Sequence, residues 1–366
     1  MRMLVMGGTQ FNGLALVREL VRSGHEVTVL NRGQTPADLP RSVRRLQGDR
    51  TDRERMFELF AHEEFDCIHD MSAYHPEDVR LMIELFRGRT GHYVFASSTV
   101  IYAASDVLPI GEHHPVDRSD AQNEYGLHKL ICEDLLVEAH REHGFPATTV
   151  PFSMVFGPHN ALLDREQRMF ARLLAGRPVL IPGDGSALGQ VGHVDDQARA
   201  LRMLSGNPVT FGKRYNVTGA QYFSDEGYVD TFAAVLGVDA DKVHVPAEIM
   251  DAVWDGHVEL TPVKEQSSFD IRTTDTGRRA AAATRARYQV ATLVQKLAPH
   301  LHRWNRSVVF GIGRLRDDIG WQPEYTFASM VEHTYEWWRR NGLDRTQVYD
   351  YAFEDDLLAH IHGSKR

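Results

Sequence analysis

Met3-Leu4-Val5-Met6-Gly7-Gly8-Thr9-Gln10-Phe11-Asn12-Gly13 is an apolar run of strand length that breaks into a glycine-rich turn. Leu14, Leu16, Val17, Leu20 and Val21 follow at helical spacing, Gly24-His25 closes that helix, and Val27-Thr28-Val29-Leu30 reads as a second strand. A strand, a glycine-rich turn, a helix and a strand make a unit with a specific physical use. The helix N-terminus presents free N–H groups and a partial positive charge, which suit a pyrophosphate. The glycines let the backbone come close to it. Gly7 and Gly13 hold the outer positions of the turn, while Gln10 stands where a middle glycine is usual.

The first half of the chain continues this alternation. Strands are expected at Val43 to Leu46, Phe65 to Met71, His92 to Ala96 and Ala147 to Pro151. Helices are expected at Asp52 to Ala61, from Pro76, and from Ala121 to Glu142. That pattern implies an α/β fold: a Rossmann-type, doubly wound parallel sheet with a smaller C-terminal α/β substrate-binding region. The dinucleotide-binding domain spans 1–160, with 190–220 returning to it through a helix at Val194 to Leu204 and a strand at Arg214 to Val217. The substrate-binding region takes 161–189 and 221–345, including helices from Ser224-Asp225 to Val235 and from Phe327 to Arg340. Residues 275–306 form a basic block with Arg278, Arg279, Arg285, Arg287, Lys296, Arg303 and Arg306, read as a solvated helix or as a lid or subunit contact that helps hold an anionic substrate. Residues 346–366 read as a polar tail.

Composition bounds the function. The 366 residues are 42% hydrophobic and 25% charged, as in an ordinary soluble globular protein. A net charge of −9 argues against a nucleic-acid surface. Cys67 and Cys132 give neither a disulfide framework nor a cysteine zinc site, which fits a cytoplasmic protein. No apolar run approaches a membrane span, and the opening run is too short for a signal peptide.

The chemistry sits in Glu124-Tyr125-Gly126-Leu127-His128-Lys129. On a helix, i and i+4 share a face, so phenol and ammonium point into one cleft. A nearby ammonium favours the phenolate and is expected to lower the Tyr125 pKa from its usual value of about 10. Such a tyrosine exchanges a proton with an alcohol oxygen. At the end of the second strand, Asn31 and Arg32 stand where an acidic residue usually meets the ribose 2′-hydroxyl. Arg32 meets a 2′-phosphate or lies over the adenine, so the cofactor is NAD(H) or NADP(H). Asp49 caps the adenine side or simply makes its turn.

These segments resemble the extended short-chain dehydrogenase/reductase superfamily, which includes the NAD-dependent epimerases and dehydratases of nucleotide sugars. The resemblance runs from about residue 3 to 342. It is carried by the glycine-rich turn, Phe95-Ala96-Ser97-Ser98-Thr99-Val100-Ile101-Tyr102, the Tyr125/Lys129 pair, Pro151 with Phe156-Gly157-Pro158, His193-Val194-Asp195-Asp196, and Leu315 to Pro323. Gly48-Asp49-Arg50 and Asp70-x-x-Ala73-Tyr74 look most like an atypical branch, which also holds chloroplast stem-loop RNA-binding proteins. The resemblance implies Ser98, four residues before Tyr102, as the hydroxyl that binds the reacting oxygen. It implies Tyr125 as general base and acid, and Lys129 on the nicotinamide ribose. Gly7, Thr9, Gln10, Phe11, Asn12, Gly13, Asn31, Arg32, Asp49, Arg50, Met71, Ser72, Ala73, Ser97, Pro151, Ser153 and Met154 would complete the cofactor site. His193 with Asp195 and Asp196 becomes a helix start capped by one of the aspartates, and no metal site is expected.

Dehydratases of this superfamily carry an acidic pair directly after the catalytic Ser or Thr. Here Thr99-Val100 follow Ser98, so elimination lacks its acid and base. The implied function is epimerisation of a hydroxylated, sugar- or nucleotide-linked substrate through a keto intermediate, by a cytoplasmic homodimer. The alternatives are an NADPH-dependent reductase or dehydrogenase of a sugar-like ketone and a non-catalytic RNA-binding or scaffold protein on the same fold.

Overall fold

The computed structural model describes residues 1–160, 165–258, 260–261 and 300–363. Six strands build the central sheet: β1 (Arg2–Met6), β2 (Glu26–Asn31), β3 (Arg44–Gln47), β4 (Cys67–Asp70), β5 (Tyr93–Ser98) and β6 (Ala147–Phe152). Their order is β3-β2-β1-β4-β5-β6 and every pairing is parallel. This is the doubly wound arrangement whose strand order reverses at β1/β4, opening a crevice at the carboxyl ends of the strands.

The alternation of side chains in β1 explains both layers. Met3 and Val5 face a core shared with Leu14 and Val17 of α1 (Phe11–Arg22) and Ala198 and Leu201 of a later helix, Val194–Leu204. Leu4 and Met6 point the other way, towards α2 (Arg53–Phe60), α3 (Pro76–Phe86) and α4 (Glu124–His143), through Met56, Phe60, Val79, Met82, Phe86 and Leu136. A strand buried on both faces reads as a continuous apolar run, as β1 does.

The strand expected at Arg214 to Val217 forms only isolated parallel bridges to β6, Thr149 with Arg214 and Phe152 with Val217. The bonds Tyr215 N–H to Thr149 O and Val217 N–H to Pro151 O are made, as is Ser153 N–H to Val217 O. Pro151 has no N–H to return to the Tyr215 carbonyl, so the ladder is interrupted in its middle.

Beyond the two faces of the sheet, a further core gathers around Phe156, Phe170, Ile181, Tyr228, Phe232, Phe327 and Trp338. The stretch read as a polar tail contains a helix, Ala352–Gly363, with Phe353, Leu357 and Ile361 buried at helical spacing. It is pinned to the helix Glu166–Leu174. The buried Glu354 carboxylate accepts from Arg168 Nη2 at 2.8 and 2.7 Å and also from Arg172. Of the basic block, only its last residues fall within the described chain. Arg303 there donates to Asp251 at 2.7 Å, and Arg278, Arg279, Arg285, Arg287 and Lys296 lie outside it. Among the described residues, no helix is long and apolar enough to cross a membrane.

Removing one partner of a buried ion cluster strands the others. Glu354→Ala is therefore expected to cost about 3–5 kcal/mol of unfolding free energy, measured by urea titration. Buried histidines set a second expectation. His92 accepts the Gly206 N–H on Nδ1 (3.1 Å), so its proton sits on Nε2, 2.8 Å from Thr148 Oγ1. His69 places Nε2 2.9 Å from Ser205 Oγ, whose own proton goes to Leu201 O. Burial lowers both imidazoles from 6.5 to about 3. Between those values the unfolded chain binds protons that the native chain refuses. Stability is therefore full above about 6.5 and falls as the pH drops towards 3, by roughly 2 kcal/mol per histidine at pH 5. Urea titrations at pH 7 and pH 5 check this.

Candidate active site

The glycine-rich turn is built as its residues require. Gly7 has φ +85°, and a Cβ on it would lie 2.8 Å from Ser72 Cβ. A Cβ on Gly13 would lie 2.1 Å from the Gly7 carbonyl oxygen, so α1 starts in contact with the strand end. Gln10 occupies the N-cap with extended backbone and no side-chain cap, which leaves the first N–H groups of α1 uncapped by it. This cradle fits a dinucleotide pyrophosphate. Asn12 is turned sideways, donating to Gln197 Oε1 at 3.2 Å.

The expected adenosine corner is at the ends of β2 and β3. Asn31 Oδ1 accepts the Gly33 N–H at 2.9 Å, and Arg32 is exposed. Asp49 Oδ1 accepts from Thr51 N–H (3.0 Å) and Thr51 Oγ1 (2.8 Å), an arrangement that makes the turn. Arg50 is a correction. Expected on the cofactor, its guanidinium is spent inside the protein. It donates to both Asp70 oxygens (2.9 and 2.8 Å) and to Ser72 Oγ (3.1 Å), and its Nε lies 3.1 Å from Asp78 Oδ1. Tyr93 OH adds a 2.7 Å bond to Asp70. Burial works against the charges of Asp70 and Arg50, but each holds the other ionised, and the Asp70 carboxyl lies below its ordinary pKa. Ser72 thus stands between Gly7 and Arg50, and Met71 and Ala73 flank it at the end of β4.

Ser98 closes β5 and caps a single turn, Thr99–Ile101, its Oγ 3.4 Å from Val100 N. Asn123 caps α4 by accepting the Gly126 N–H at 2.7 Å, which places Tyr125 in the first turn and Lys129 one turn on. Lys129 is 2% exposed. Its Nζ donates to the carbonyls of Ala73 (2.8 Å) and Ala96 (2.7 Å), and lies 4.8 to 5.6 Å from the ring centres of Phe95, Tyr74 and Tyr125. Ser98, Tyr125 and Lys129 therefore converge at the carboxyl end of β5. Ser97 and Ser153 are buried beside them, Ser153 Oγ bonding Thr218 Oγ1 at 2.5 Å, and Pro151 and Met154 flank the end of β6.

The electrostatics correct one expectation. Lys129 does not lower the Tyr125 pKa here. Burial pushes the phenol above its usual value, and the Ser98 hydrogen bond and the charge of Arg165 only partly offset it. Burial also pulls the Lys129 ammonium down to about 8.

Arg165, which no sequence motif marked, is the further charged group at this cleft. Burial lowers it to about 10, and it acts electrostatically on both Tyr125 and Tyr228. Its Nη1 donates to Val155 O at 3.4 Å, while Nε is buried without an acceptor. Its neighbour Glu166 is turned away, accepting twice from Asn160 Nδ2 (2.9 and 3.1 Å), and burial raises it to about 7. Only the fold brings this residue to the tyrosine.

His193, Asp195 and His333 bring possible ligand atoms within 4.8 Å of one another. The hydrogen bonds assign that cluster otherwise. His193 Nδ1 accepts the Asp195 N–H at 3.1 Å, so the proton is on Nε2, which donates to His333 Nδ1 at 3.1 Å. Both lone pairs that an ion needs are already used. His193 itself caps the helix, in place of the expected aspartate. Asp196 instead receives the N–H groups of Glu324 and Tyr325.

Residues 3–218 match the model of the NAD dependent epimerase/dehydratase family. A chloroplast stem-loop binding protein of 41 kDa from Arabidopsis thaliana is 30% identical over 282 residues, covering 73% of this chain and 71% of its own. The 2′-dehydrokanamycin reductase of Streptomyces kanamyceticus is 27% identical over 251 residues, covering 68% and 70%. The structure of a UDP-glucose 4-epimerase from Thermotoga maritima, solved with UDP-glucose, superposes with a TM-score of 0.68 at 17% identity, covering 93% of this chain and 99% of that one.

Lys129→Met is expected to orphan the Ala73 and Ala96 carbonyls at a cost on the order of 1–3 kcal/mol each. Urea unfolding measures that loss. A melt unchanged from the parent protein would contradict the tether.

Proposed function

Because the chain belongs to the NAD dependent epimerase/dehydratase family, we propose that it is an epimerase of a hydroxylated sugar or nucleotide-linked substrate. The observation that carries this reading is the convergence of Ser98, Tyr125 and Lys129 beside a glycine cradle, with Thr99 and Val100 where elimination needs an acid and a base. The nicotinamide, when bound, supplies a hydride acceptor and donor.

The protein's own residues handle the proton. Ser98 binds the reacting oxygen and Tyr125 takes its proton as the alcohol becomes a ketone. Tyr125 returns that proton when the alcohol re-forms on the other face. Burial raises the free phenol above its usual value, so its work as a base draws on the Ser98 hydrogen bond and on the charge of Arg165, the two groups that offset it. Arg165 also gives the cleft a cation with no carboxylate bonded to it among the described residues, which suits a phosphate-bearing substrate.

A reductase is the second reading, favoured by the similarity to 2′-dehydrokanamycin reductase. Incubation with a panel of UDP- and dTDP-sugars separates the two. An epimerase yields a new diastereomer by NMR with no net change in nicotinamide absorbance. A reductase oxidises its reduced cofactor stoichiometrically and acts on a ketone. Tyr125→Phe is expected to lower either rate by about 10²–10⁴-fold. Turnover that survives this change intact would overturn both readings and leave the non-catalytic one.

A further inference from the structure

Ser98 and Tyr125 come from different elements, the end of β5 and the first turn of α4. One side chain outside the catalytic set spans the gap between those elements. Gln122 directly precedes Asn123, the cap of α4. Its Nε2 donates to the Val100 carbonyl at 2.9 Å and to the Asp117 carbonyl at 3.3 Å. Its Oε1 accepts the Asn123 N–H at 3.0 Å. A carbonyl only accepts and an N–H only donates, so a single orientation of the amide satisfies all three partners.

These bonds close a circuit. Tyr125 is hydrogen-bonded to Ser98, and Ser98 Oγ accepts the Val100 N–H at 3.4 Å. The Val100 carbonyl accepts from Gln122, Gln122 accepts from Asn123, and Asn123 Oδ1 accepts the N–H of Gly126 at 2.7 Å, next to Tyr125. Val100 lies in the single turn, Thr99–Ile101, that Ser98 caps. Two further bonds steady that turn. His300 Nε2 donates to the same Val100 carbonyl at 2.9 Å, and the Asp117 N–H donates to the Ile101 carbonyl at 2.8 Å.

Gly126 fits this arrangement. Outside the helix's own backbone, the three atoms nearest to a Cβ built there all belong to Gln122: Oε1 at 2.3 Å, Cδ at 2.6 Å and Nε2 at 3.0 Å. A glycine in a helix gives up stability that an alanine would supply. Here it leaves the space that the Gln122 amide fills.

We infer that Gln122 is a positioning residue for the proton exchange: its amide, given room by Gly126, locks the Ser98 turn to the first turn of α4 and so sets how Ser98 meets Tyr125. Its catalytic consequence rests on the proposed function, and an epimerase and a reductase need the lock alike. The lock itself is a property of the free protein.

The test therefore has a readout without substrate. The full-length protein is labelled with ¹³Cζ-tyrosine, and the Tyr125 resonance, which responds to hydrogen bonding at the phenol, is assigned by its loss in Tyr125→Phe. Gln122→Met keeps the length of the side chain and removes both polar ends. The expected result is a displaced Tyr125 resonance. On any sugar of the panel that the parent protein turns over, kcat is expected to fall by about 10–100-fold with KM little changed, the mark of misplaced reacting groups. Gly126→Ala, which pushes the amide out of its place, should do the same, and it carries the test alone if Gln122→Met does not fold. Once Gln122→Ala has emptied that space, adding Gly126→Ala should cost nothing more, a non-additivity that general loss of packing does not produce. An undisturbed Tyr125 resonance and an unchanged kcat in Gln122→Met overturn the proposal. Losses that simply add in the double variant overturn it as well, because the two residues then act separately. A displaced resonance in a protein that turns over no sugar upholds the lock and sinks the catalytic reading instead.

Discussion

A buried ammonium must find acceptors, and the one on Lys129 finds them at the carboxyl ends of β4 and β5. This single group ties α4 to two adjacent strands. Its reach fixes how α4 sits on the sheet, and so where Tyr125, one turn earlier, meets Ser98. The cost of burying the charge shows in its depressed pKa. Three aromatic rings around Nζ recover part of that cost.

A second buried cation works at the same strand end. Arg50 closes on Asp70 and Asp78, and Ser72 Oγ accepts from it while its Cβ packs at Gly7. The glycine-rich turn is therefore backed by a satisfied ionic cluster. The C-terminal part of the structure is braced in a similar way, by Glu354 between Arg168 and Arg172. Those arginines lie on the helix that begins beside Arg165, so the C-terminal helix helps to fix the cation facing Tyr125.

Several misreadings share one cause. Arg50 beside Asp49 looked like a cofactor ligand because charge next to a glycine turn has that meaning locally. Its true partners are 20 and 28 residues away. The C-terminal residues looked like a tail because their apolar stripe is short, and its value depends on Glu354 finding arginines more than 180 residues earlier. Pro151 could have warned that the segment from 214 to 217 would bridge without a full ladder, since a missing N–H is visible in any sequence. The expected lowering of the Tyr125 pKa failed because spacing on a helix states which side chains share a face and not how much water each has lost.

What the sequence by itself determined is the set of local features: β1 as a two-faced apolar strand, the glycines that permit the close turn, the stripe of α1, the i and i+4 placement of Tyr125 and Lys129, and with them the doubly wound fold. These rest on backbone geometry and periodicity, which act over a few residues. The tertiary structure alone decided which charges are buried and against what. It sent Arg50 inward and Arg165 to the tyrosine, left Arg32 exposed at the end of β2, and closed the His193–His333 pair as a hydrogen bond. Each of these depends on distance and desolvation between residues far apart in the chain, quantities that exist only once the chain has folded.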